Sequence, residues 1–111
     1  MKKDIITPKN HRGGASGGGT QAVRAGNLIL VGGQMSLDES GRVVGSNITT
    51  QARNAFEALK RVLAEAGAGM EEVEKHNIYF QCDGGDAEVA TFLDDIDRVR
   101  LDYFSDPGPT T

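Results

Sequence analysis

The sequence is poor in the residues that build closed chemical sites by themselves. Among 111 residues there is one cysteine and no tryptophan, and there are two histidines. A lone Cys82 excludes an intrachain disulfide framework and leaves a thiolate zinc site without partners, so it reads as a small core residue. His11 and His76 stand too far apart to form a local site, and His76 reads as a structural or surface residue. No metal and no cofactor is expected. Long apolar runs are also missing: none approaches the roughly 20 residues of a spanning helix, and the start Met-Lys-Lys-Asp-Ile-Ile-Thr has no apolar stretch suited to secretion. A cytoplasmic protein without a membrane partner is the expectation. Positive charge is scarce, with 12 Lys and Arg against 16 Asp and Glu, a net charge of −4. Nucleic acid is therefore not expected as a partner, since gripping a phosphate backbone takes clustered cations.

What the chain has is glycine, 15 residues of it, unevenly spread. Residues 1–19 hold Pro8, the basic Lys9, His11 and Arg12, and then Gly13-Gly14-Ala15-Ser16-Gly17-Gly18-Gly19. Such a composition has little to bury, and no strand precedes it or Gly-Lys-Ser/Thr follows it as a phosphate cradle requires. It reads as a flexible leader. Residues 20–111 read as a single domain whose core is small for a chain standing alone, which makes oligomer formation an expectation.

Within that domain, residues 20–25 alternate modestly and turn at Ala25-Gly26-Asn27 into a second strand, Leu28 to Gln34, predicting an antiparallel hairpin in which the apolar run Leu28-Ile29-Leu30-Val31 is buried on both faces. A short strand is predicted at Arg42-Val43-Val44. Asn47, Thr49 or Thr50 can cap a helix in which Ala52, Phe56, Leu59, Leu63 and Ala66 recur at spacings of three and four, with Gly67 as its stop. Residues 74–82 alternate, Ile78, Phe80 and Cys82 against Asn77, Tyr79 and Gln81, and predict another strand. A second helix, capped by Asp86, carries Val89, Phe92, Leu93, Ile96, Val99 and Tyr103 on one stripe. Its Asp94, Asp95, Asp97 and Asp102 lie mostly off that stripe, as a solvated acidic face rather than metal ligands.

The blocks Gln21 to Gln34, Gln51-Ala52-Arg53-Asn54-Ala55-Phe56-Glu57-Ala58-Leu59-Lys60 and Leu63-Ala64-Glu65-Ala66-Gly67 resemble, in their order, the reactive intermediate deaminase family, also called Rid or YjgF-like and formerly endoribonuclease L-PSP. The resemblance runs from about Thr20 to Thr111. It implies an α+β chain with a YjgF-like, chorismate-mutase-like mixed sheet, two helices on one face, and three subunits joining their sheets into a homotrimeric barrel. Family members carry two more strands after the second helix, so C-terminal strands are expected to be missing from this chain, which stops at Thr111.

The resemblance also implies a pocket between subunits in which enamines or imines are hydrolysed to carbonyl compounds and ammonia. There an arginine fork holds the substrate carboxylate and a glutamate sits near the attacking water. Gly33 and Gln34 match the family's residues at the strand end, while Gly32 falls where a serine is common and Gly19 where a tyrosine is common. The family's proline, any residue, arginine pattern falls on Pro109-Thr110-Thr111 or on Pro107-Gly108-Pro109, with no arginine in either register. Gly32, Gly33, Gln34 and Thr111 are thus the expected ligand-binding residues, and no catalytic residue can be assigned. Arg53 is expected at a subunit contact or on the surface, and Lys75 and Tyr79 at the intersubunit cleft or in ordinary sheet packing. The implied function is a 2-imino or 2-enamino acid deaminase, releasing a 2-oxo acid and ammonia, with altered substrate or activity. A noncatalytic module binding a small carboxylate or imine is the alternative, and a ribonuclease or translation inhibitor fits the acidic charge less well.

Overall fold

The computed structural model describes residues 3–8, 14, 20–105 and 108–110. Three antiparallel strands lie in the order β1 (Lys3–Ile6), β2 (Ala22–Ala25) and β3 (Leu28–Val31), followed by α1 (Ile48–Glu65), a single 3₁₀ turn at Met70–Glu72 and α2 (Asp86–Tyr103). The turn joining β2 to β3 relies on Gly26, whose φ of 60° a side chain would strain. From that turn the register runs outward through Ala25↔Leu28 to Ala22↔Val31.

β1 differs from the irregular leader expected over residues 1–19. Lys3–Ile6 pairs with β2 along its whole length, and Ile6 is buried opposite Ala22. Two adjacent isoleucines favour a strand, and the paired edge of β2 supplies the ladder, so the glycines that follow do not decide the fate of the residues before them. Residues 1–2, 9–13 and 15–19 of that expected leader lie outside the described residues.

The alternation of the sheet splits its side chains. Ile6, Ala22, Ile29 and Val31 pack under α1 with Val62 and Ala66. On the other face Ile5, Leu28 and Leu30 stand 70%, 64% and 60% exposed. The double burial expected of β3 is therefore not met within one chain, because α1 covers one side and the other stays open among the described residues.

α1 is buried along two strips. Asn47 caps it by accepting from the Thr50 amide at 2.8 Å, and its end is a Schellman closure: Gly67 (φ 80°) donates to Ala64 at 3.0 Å and Ala68 to Leu63 at 2.8 Å. Arg24 reaches from β2 to donate to the Ala66 carbonyl, placing a cation at the negative end of the helix. One strip, Val62 and Ala66, faces the sheet. The other, Phe56 and Leu63, meets Met70, Val99 and Phe104, the last two contributed by α2 and its end. The single stripe read from the sequence named Phe56, Leu63 and Ala66 but not Val62, which is fully buried.

Gly85, not Asp86, precedes the first helical residue of α2; Asp86 and Glu88 lie in its first turn, where their charge favours the helix dipole. Ile96 and Val99 are buried, whereas Leu93 of the same expected stripe is 47% exposed. Residues 74–82 form no ladder beyond one parallel bridge, Lys75↔Thr110. The alternation is present, with Phe80 against Phe92 (6.1 Å between rings) and Tyr79 outward. A strand also requires a hydrogen-bonded neighbour, and among the described residues Thr110 alone provides one.

Candidate functional site

The hairpin register determines what the end of β3 can offer a ligand. Continued one residue past Ala22↔Val31, it sets Gln21 opposite Gly32, and the Gly32 amide donates to the Gln21 carbonyl at 2.8 Å. Of the two exposed glycines, Gly32 is therefore already engaged. The Gly33 amide makes no hydrogen bond to the described residues. That distinction was available from the sequence by counting outward from Gly26-Asn27, and glycine content alone concealed it.

Gln34 follows, half-buried. Its side-chain Nε2 donates to Gln21 Oε1 at 3.1 Å and to the Gly32 carbonyl at 3.2 Å, so both of its amide hydrogens have acceptors. Beyond it, buried Ser36 donates to the Val44 carbonyl at 2.6 Å and accepts from Asn54 Nδ2 at 2.9 Å, fastening the loop to α1. The strand expected at residues 42–44 is reduced to one bridge, Leu37↔Val43, because Asp38 Oδ1 accepts from the Ser40 and Arg42 amides and tightens a turn there.

Thr111 lies outside the described residues. Its neighbour Thr110 accepts from the His76 amide at 3.0 Å and donates to the Glu74 carbonyl at 3.1 Å. Among the described residues no hydrogen bond joins Thr110 to the β3 end, where Gly32, Gly33 and Gln34 follow one another.

His76 is held in aromatic packing, stacked on Phe104 (5.3 Å, 20°) and edge-on to Phe56 (6.1 Å, 78°). Both ring nitrogens are buried without a hydrogen-bond partner among the described residues. Burial, and secondarily the charge of Arg100, lowers its pKa from the ordinary 6.5. Nothing in its strand-like alternation signalled this environment.

A groove of about 500 Å³ lies elsewhere, between α1 and α2, lined in part by Arg53, Glu57, Lys60, Asp102 and Tyr103. Arg53 Nη2 meets Asp102 Oδ2 at 2.8 Å, and Tyr103 donates to Glu57 Oε2 at 2.6 Å. The Asp102 hydrogen bond raises the Arg53 pKa; burial, and then the Glu57 contact, raises that of Tyr103. The Arg53–Asp102 ion pair and the Tyr103–Glu57 hydrogen bond satisfy these groups, and the groove reads as helix packing. The acidic face of α2 is likewise matched by arginine, Asp95 with Arg98 and Asp97 with Arg100. Among the described residues no group of three His, Cys, Asp or Glu is placed to hold a metal.

A protein-family model described as endoribonuclease L-PSP matches residues 11–99. The chain belongs to this family. It is the family also known as Rid or YjgF-like, and its fold is the one seen here: a putative endoribonuclease from Thermotoga maritima superposes on all of the chain and on 82% of its own length, with a TM-score of 0.80 at 25% identity. Among curated relatives, a RutC family protein of Pyrococcus abyssi is 38% identical over 81% of this chain and 66% of its own length. The 2-iminobutanoate/2-iminopropanoate deaminase of Dermatophagoides farinae is 30% identical over 81% of this chain and 66% of its own. The chain thus spans about two thirds of the length of these relatives. No helix among the described residues is long and apolar enough to cross a membrane.

Proposed function

We propose that this Rid-family chain assembles as a cytoplasmic homotrimer, binds a small 2-imino or 2-enamino acid at the β3 end, and promotes its hydrolysis to a 2-oxo acid and ammonia. The observation that carries the reading is Gly33, an exposed glycine with an uncommitted amide among the described residues, set between the engaged Gly32 and Gln34. A main-chain donor uncovered by a side chain suits a carboxylate or carbonyl oxygen. The open apolar face of Ile5, Leu28 and Leu30 supports assembly, since so much exposed hydrophobic surface on a small sheet favours a partner. The name of the Dermatophagoides farinae relative supports the substrate class.

A second reading, a noncatalytic binder of 2-oxo acids, is favoured by one specific feature: residues 104–111 contain no arginine, so the charged fork that this chemistry uses on a carboxylate is not supplied there. Ammonia release separates the two. An imine is generated in place by an amino-acid oxidase, and its decay is followed with and without the protein. Accelerated release supports the deaminase; binding of pyruvate without acceleration supports the binder. Neither binding nor turnover by a folded protein would remove the site altogether.

A further inference from the structure

Gln21 accepts from both neighbours of Gly33 at the β3 end and is not among the expected ligand-binding residues. It is a polar residue only 5% exposed. Its main-chain oxygen takes the Gly32 amide at 2.8 Å, and its side-chain Oε1 takes Gln34 Nε2 at 3.1 Å. On the other side of the same amide lies Gly14, bridged to Gln34 in antiparallel fashion. A Cβ built on Gly14 would fall 2.1 Å from Gln21 Oε1 and 2.4 Å from its Nε2. Gly14 therefore leaves room for the Gln21 amide, which fills the space that a side chain there would occupy.

We infer that Gln21 is a positioning residue: its buried carboxamide seats Gly14 on one side and Gln34 on the other, and thereby fixes the direction in which the intervening Gly33 amide points. The inference rests on the β3 end being the ligand site, and it adds the part that orients that site. On either side of Gly33, the Gly32 amide and the Gln34 side chain each donate to Gln21, and Gln34 donates also to the Gly32 carbonyl. A buried amide with a matched acceptor resists displacement because leaving either partner unsatisfied carries the full desolvation cost. Gly14 contributes by absence: a methyl group there displaces the Gln21 amide while leaving Gln21 and Gln34 chemically intact.

The test uses the full chain labelled with ¹⁵N, compared as wild type, Gln21→Met, Gly14→Ala and the double variant. Amide signals of Gly33 and Gln34 are recorded without ligand and during titration with pyruvate. Both single variants should shift the Gly33 amide and the Gln34 side-chain signals in the free protein, and weaken pyruvate binding about fivefold, the equivalent of losing one ordinary hydrogen bond. The double variant should be no worse than either single one, because both act through the same amide. A structural effect alone would lower the melting temperature without this shared endpoint. Gly33 and Gln34 signals unmoved in folded Gln21→Met or in folded Gly14→Ala overturn the inference. Shifts in the free variants, combined with no response of wild-type Gly33 to pyruvate, uphold the positioning role and refute the ligand reading of the site instead.

Discussion

Tyr103, in the last turn of α2, donates its hydroxyl to Glu57 of α1 at 2.6 Å. The same ring stacks against Phe56 at 5.2 Å and lies under the Arg53 guanidinium, so one side chain joins the two helices by packing and by a charged hydrogen bond. Tyr103→Phe keeps the ring and removes the bond. Because the contact is partly solvated, the loss should be about 1 kcal/mol, read as a lower denaturant midpoint with an unchanged slope.

His76 gives the stability a pH dependence. Its folded pKa is lowered from 6.5 by burial and by Arg100, with the imidazole between Phe104 and Phe56. Between the lowered folded value and 6.5 the unfolded chain binds more protons. The contribution of neutral His76 is therefore complete above that pH and is lost as acid is added through the window. His76→Phe should flatten the fall in melting temperature below pH 6.5; an identical fall in the variant would assign it to other groups.

Val62 is the pivot of the packing between α1 and the sheet, fully buried among Ile6, Ala22 and Ala66. Val62→Ala should cost about 2 kcal/mol, seen as a clear drop in the urea midpoint.

These elements were unequally legible. α1 could be read almost to the residue because Asn47, the apolar spacing and Gly67 are local signals, although the strip containing Val62 emerged only once the sheet was seen to lie beside α2's contact face. β1 was not legible: Lys3–Ile6 is four residues long and owes its strand to pairing with β2, which lies beyond a glycine-rich stretch. The alternation of residues 74–82 was read correctly as a pattern but not as a ladder, because pairing is non-local. At the candidate site, Gly32, Gly33 and Gln34 were expected from the resemblance. The engagement of Gly32 by Gln21 depended on hairpin register, and the burial of His76 on the convergence of three separate segments.

The outer sheet face yields a prediction independent of the core. Leu30 is 60% exposed in one chain, opposite the side that packs under α1. Leu30→Asp should leave the helical circular dichroism intact and reduce the particle to a single chain, since a charge there costs little in water and much in a buried interface. An unchanged particle size would place the contact elsewhere.

The proposed site requires copies of the chain to cover that face and to bring the β3 end to a boundary between them. Static light scattering on the purified wild-type protein tests this directly. Three copies of an 11.8 kDa chain predict a mass of about 35 kDa. A folded particle of 11.8 kDa across the accessible concentration range would contradict it.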